Sequence, residues 1–203
     1  RLGCTTGAAG EAFAIRRSLF VLPPSGIIND DFYLMMSVIK RGYRMIYVPQ
    51  AESYERVSPT SADEVERRAR IIAGRYQALT RLGELLPFNR PLIIWQVLSH
   101  KFLRPLVPFF MLGAFLSALA ATLWLPQSGS MPLLHLAAPF NWIFLSAQVI
   151  FYFLAWMGRY FENSSTLGKL LYLPRFLVNS NFAAVRGLIR FLAHKQSTQW
   201  KRA

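Results

Sequence analysis

Two short stretches carry side chains able to do chemistry. Asp30 and Asp31 stand side by side where a breaker-rich loop (Pro23-Pro24-Ser25-Gly26) gives way to an apolar run. A carboxylate pair at a loop-to-helix junction can cap the helix and compensate its dipole. Alternatively, one member can act as a base, its proton affinity raised by the neighbouring charge. The second stretch is Glu66-Arg67-Arg68-Ala69-Arg70, with Gly74 and Gln77 following. Helical spacing puts Arg67, Arg70, Gly74 and Gln77 roughly on one face. Such arginines can form a solvated basic face, pairing with Asp63 and Glu66 four residues earlier, or can grip an anion. Gly7 and Gly10 frame a small-residue loop near the N-terminus, which read alone is a plain turn.

The elements that must position these groups follow from pattern. Phe32, Met35, Val38 and Ile39 recur at helical spacing from Asp31, and Arg41-Gly42 closes that helix. Arg44 to Val48 reads as a short strand stopped by Pro49. Ser61 to Glu64 reads as a capping box, with Ser61 as N-cap, opening a long helix to about Glu84. Between Pro91 and Pro105, the segment IIWQVLSHKFLR suits an amphipathic helix at a membrane interface, with Lys101 and Arg104 among its basic residues. Ser99-His100-Lys101 reads as an interfacial basic patch, since no acid partner is placed near His100.

Composition sets the setting. Of 203 residues 53% are hydrophobic, and 23 Lys and Arg oppose 10 Asp and Glu for a net +13. No charged residue falls within 105–157. That stretch holds two spans of about 20 residues, Leu106–Leu125 and Pro139–Met157, joined by a short polar turn. Basic flanks on both sides place both ends of this hairpin in the cytoplasm. The surplus charge beside apolar spans points to anionic lipid rather than nucleic acid. Arg175, Arg186 and Arg190 argue against a third span in 170–192, which reads instead as an interfacial or re-entrant helix. The single Cys4 excludes an internal disulfide, and three scattered histidines argue against a His-metal cluster.

Three pieces in order resemble one family: Gly7-Ala8-Ala9-Gly10-Glu11 through Arg17; Asn29-Asp30-Asp31-Phe32-Tyr33-Leu34 with Lys40-Arg41-Gly42-Tyr43-Arg44 and Tyr47-Val48-Pro49; and Glu66 to Ile71 with Gly74. Together they look like the C-terminal part of a family 2 membrane glycosyltransferase, the inverting GT-A class that includes cellulose, chitin and hyaluronan synthases. The resemblance implies an α/β fold (the C-terminal part of a GT-A domain) over 1–90. It further implies an interfacial helix over 91–105, a transmembrane hairpin over 106–157 and a basic cytoplasmic-side tail over 158–203. It implies that Asp31 is the catalytic base and Asp30 its support. Arg70, with Arg67 nearby, would meet the donor diphosphate, and the Gly7–Gly10 loop would line the acceptor side. Where processive members carry Q-x-x-R-W, this chain has Arg67 for Gln and Ile71 for Trp, which departs from a polymer-holding site.

Also implied are a nucleotide-sugar donor, a glycan or lipid-linked acceptor, membrane lipids and a polymer-export or regulatory subunit as partners, at the cytoplasmic face of a bacterial inner membrane. A divalent metal, Mg²⁺ or Mn²⁺, is implied too, but no DxD motif is present to hold it. Since the sequence opens at Arg1, an upstream half carrying donor and metal sites is expected, and residues 1–203 alone are expected to be inactive. The rival reading is a non-catalytic membrane anchor or partner subunit with a degenerate half-domain.

Overall fold

The first helix, α1 (Asp30–Lys40), forms where the apolar spacing indicates, burying Phe32, Met35, Met36 and Ile39 on one side. Gly42 ends it at φ 95°, a left-handed position that a side chain would strain. In the computed structural model, residues 3–7, 12–54, 60–124, 136–161 and 165–195 are described. They form two units, 1–105 with 183–203, and 106–182.

The expected α/β architecture is overturned. Among the described residues there is no strand and no sheet; every regular element is a helix or a helical turn. The expected strand at 44–48 shows why. A strand is defined by a ladder of paired hydrogen bonds, whereas among the described residues a single backbone bond, Thr5 N–H to Met45 O at 2.9 Å, links this segment to a distant stretch. Ile46, Tyr47 and Val48 stay exposed.

In the first unit, α2 (Ser61–Leu79) starts one residue earlier than its expected cap. Thr60 is the N-cap, its Oγ1 accepting from Asp63 N–H at 3.1 Å. Thr-x-x-Asp and Ser-x-x-Glu are offset here by one residue, and the structure uses the first. The helix stops at Leu79, and α3 (Leu82–Leu85) follows as a separate turn. Then α4 (Pro91–Val97) begins with its proline in the first turn, where a missing N–H costs nothing. A π-helical turn, Leu98–Phe102, continues it, closed by Leu103 N–H to Leu98 O at 2.9 Å. The core gathers Phe32, Met35, Met36 and Ile39 with Ala78, Leu85, Leu86, Ile93, Val97 and Phe102. Phe32 and Phe102 meet edge to face with ring centroids 6.2 Å apart. Each fully buried large side chain of this kind stabilises the unit by about 1.5–3 kcal/mol.

In the second unit, α5 (Val107–Leu123) and α6 (Phe140–Met157) carry no charge. Phe115 meets Tyr152 edge to face at 6.2 Å. Two helical runs, Pro91–Leu123 and Phe140–Met157, are long and apolar enough to cross a membrane. The long helix α7 (Thr166–Leu192) contributes its first part, to Phe182, to this unit, with Pro174 inside it. Arg175 donates from Nη1 to Gly158 O at 2.8 Å, so it serves the last carbonyls of α6.

The last part of α7 belongs to the first unit, and there it lies against α2. Tyr76 and Phe191 stack at 6.1 Å. Glu66 takes Arg186 at 3.2 Å and also Arg190. The arginines that seemed costly within an apolar stretch therefore have specific partners.

Candidate functional site

The acidic pair is held by α2. Asn29, at the N-cap of α1, makes no capping bond; its Nδ2 donates instead to Ile71 O at 2.9 Å. The two helices come so close there that a Cβ on Gly74 would stand 2.4 Å from Asn29 Cγ. One turn further along α2, Gln77 clamps the same loop from both sides. Its Oε1 accepts from Ile28 N–H at 2.9 Å, and its Nε2 donates to Gly26 O at 2.6 Å. Gly74 and Gln77, which share a face with Arg70 in the sequence pattern, thus fix the loop that delivers Asp30 and Asp31.

Each acid also serves the helix start. Asp30 Oδ1 accepts from Asp31 N–H at 3.0 Å, and Asp31 Oδ1 accepts from Phe32 N–H at 2.7 Å. The capping role and a chemical role are compatible, since a carboxylate has two oxygens and about four acceptor positions. Arg70, half-buried, faces both acids. Burial pulls its guanidinium pKa down, and Asp30 and Asp31 pull it back up.

Arg67 lies apart from this group. It is exposed and paired with Glu64 at 3.2 Å, while Arg68 takes the other oxygen of Glu64 at 2.6 Å. The expected partners Asp63 and Glu66 are engaged elsewhere, with Thr60 and with α7. Gly7 is exposed, and Lys101 Nζ lies 4.0 Å from where a Cβ on it would stand. Gly10 falls outside the described residues.

Two cations that sequence reasoning did not assign to the site also face Asp31: Arg75 and Lys101. Arg75 follows Gly74 directly, so the close approach of α2 to the Asn29 loop carries it inward. Burial lowers its pKa first; Arg104 and Arg68 press the same way, and Asp31 opposes. Lys101 sits in the π turn with its Nζ 5.8 Å from the centroid of the Phe32 ring. A reading of Ser99-His100-Lys101 as one patch hid this. His100 is exposed and turns back to Gln96 O at 3.1 Å, whereas Lys101 turns toward Asp31. The period of an α-helix could not show that, because the turn is not α-helical.

An acid pair beside several half-buried cations is suited to bringing a phosphorylated donor to a base. The family model described as glycosyl transferase family group 2 matches residues 2–161. The chain belongs to that family. Its match covers α1 to α6, and with them the acid pair, Arg70, Arg75 and Lys101. Comparison with curated proteins gave no match, and neither did comparison with solved structures.

Glycosyltransferases of family 2 often use a divalent metal. The residues here do not fit one. Among the described residues no three His, Cys, Asp or Glu come together, and the two carboxylates that do are flanked by Arg70, Arg75 and Lys101. Fixed cations at that position oppose a further 2+ charge.

Proposed function

We propose that this glycosyltransferase transfers a sugar from a nucleotide-diphosphate donor to a glycan or lipid-linked acceptor with inversion. The acceptor hydroxyl oxygen attacks the anomeric carbon, and Asp31 takes the hydroxyl proton. The bond from that carbon to the diphosphate oxygen breaks, and Arg70 stabilises the departing charge. Asp30 keeps Asp31 in place through its bond to the Asp31 N–H. Gly7 leaves room on the acceptor side.

The observation that carries this reading is the approach of half-buried Arg70 to both acids, enforced by the contacts of Asn29, Gly74 and Gln77. A base and an anion-binding group meet because two distant pieces of chain are pinned together. The departures at Arg67 and Ile71 favour a short transfer over synthesis of a long polymer.

The reading includes a membrane. Trp142, Ile143, Val149, Ile150, Phe153 and Trp156 of α6 all point outward and exposed, as lipid-facing side chains do. Basic flanks on both sides of the α5–α6 hairpin put the catalytic part on the cytoplasmic face.

Asp31→Asn in the full-length protein tests the assignment. Transfer is expected to fall by at least about a hundredfold, with donor binding within about twofold of the parent. Retained turnover would remove Asp31 from the mechanism.

A further inference from the structure

Arg75 and Lys101 are both half-buried, and neither has a hydrogen-bond or ion-pair partner among the described residues. Desolvated cations without an acidic partner are unfavourable, and the contact of Lys101 with the Phe32 ring leaves its charge uncompensated. The packing that turns them inward is specific. The Tyr76 hydroxyl donates to Pro105 O at 3.1 Å, which ties the α2 turn carrying Arg75 to the segment carrying Arg104. The Phe32–Phe102 contact ties the π turn carrying Lys101 to the start of α1 beside Asp31. Lys101 Nζ ends up between the Phe32 ring and the Gly7 loop.

The local charge does not balance. Arg75 and Lys101 press on each other, Arg104 presses on both, and among the described residues Asp31 is the acid that opposes them. Three cations against one carboxylate leave a positive surplus among the described residues, which an anionic phosphoryl group would offset. A guanidinium fork beside an ammonium point charge suits tetrahedral phosphate oxygens.

We propose that Arg75 and Lys101, supported by Arg104, form a second phosphate-binding subsite beside Asp31, made of different residues from Arg70. Its location next to the reacting groups rests on the reading of Asp31 as base; its capacity to bind an anion does not. The phosphate belongs either to the donor or to a phosphate-bearing acceptor.

The test uses the full-length protein in detergent or lipid nanodiscs. A water-soluble amine-acetylating reagent is applied briefly, and labelling is read by peptide mass spectrometry at Lys101, with exposed Lys169 as internal reference. Inorganic phosphate, a nucleoside diphosphate and phosphatidic-acid vesicles are the probes. At least one is expected to slow labelling of Lys101 about fivefold or more while leaving Lys169 unchanged. Protection by the nucleoside diphosphate assigns the subsite to the donor. Protection by phosphate and phosphatidic acid alone assigns it to the acceptor.

Arg75→Gln is expected to raise the half-protecting concentration about tenfold, and Arg75→Lys to restore part of it. Phosphate-dependent stabilisation is read in parallel as a rise in melting temperature, lost in Arg75→Gln and Lys101→Gln. Asp31→Asn is expected to keep the protection while losing transfer. If Asp31→Asn retains transfer and protection stands, only the base assignment fails. Absence of both protection and stabilisation with all three probes, or protection unchanged in Arg75→Gln, overturns the subsite.

Discussion

Gly74→Ala tests whether the contact between α2 and the Asn29 loop sets the site. In a helix interior this substitution ordinarily stabilises by about 1 kcal/mol, because alanine is the better helix former. Here the new methyl group would stand 2.4 Å from Asn29 Cγ, 2.5 Å from its Oδ1 and 2.6 Å from its Nδ2, against 3.4 Å or more for ordinary contact. Asn29 would have to retreat by about 1 Å, and its side chain is tethered through Nδ2 to Ile71 O. Overpacking of this kind costs about 1–3 kcal/mol, and losing the tether costs about 1 kcal/mol more. The sign therefore reverses, to a net destabilisation of about 1–3 kcal/mol.

The effect on turnover is expected to be larger than the effect on folding. Asn29 adjoins Asp30 and Asp31, and a displacement of about 1 Å at reacting groups costs about a hundredfold in rate. Melting temperature and kcat of the full-length protein, measured on one preparation, separate the two effects. Gly83→Ala is the control, since nothing lies within 4 Å of its Cβ position; it is expected to be neutral or slightly stabilising. A Gly74→Ala protein as stable and as fast as the parent would refute the idea that this approach positions the acid pair.

Gly187→Ala places a methyl group 2.6 Å from Ala69 O, a backbone atom that cannot swing aside, and should lower stability by about 2 kcal/mol, read by thermal denaturation. Tyr76→Phe removes the bond to Pro105 O and should cost about 1–2 kcal/mol, read the same way. The hydrogen bond from Arg190, aided by the charges of Arg190 and Arg186 against a smaller opposing effect of burial, holds the Glu66 carboxyl below its usual pKa. Its stabilisation is therefore full above the unfolded carboxylate value of about 4.3 and is lost as pH falls through the lower folded value. Melting temperatures of the parent and Glu66→Gln should differ at pH 7 and converge in acid; a constant gap across that range would contradict the pairing.

The helices were legible where burial follows a period. In α1, Phe32, Met35 and Ile39 repeat at helical intervals and all enter the core. Arg44–Val48 misled because Ile46, Tyr47 and Val48 are residue types that favour strands, while a strand needs a neighbour that local sequence cannot supply. The site was legible in part. Asp30, Asp31, Arg70, Gly74 and Gln77 could be singled out from position and spacing, and the structure brings them together. Arg75 and Lys101 could not, because their inward aim depends on a close helix contact and a non-α turn. Arg67 illustrates the converse, since its spacing suited the site but Glu64 holds it at the surface.

The π turn at Leu98–Phe102 amounts to one surplus residue within a helical run. Val97 and Phe102, five apart in sequence, both lie in the core, a spacing that a regular α-helix does not bring to one face. Removing one residue between them would restore a four-residue interval and a uniform hydrogen-bond ladder, so packing by itself gives no reason to keep the surplus. What the shortened chain would lose is the local widening that carries Lys101 toward Asp31. The length of this segment, counted in single residues, is thus tied to the electrostatics of the site rather than to the stability of the helix.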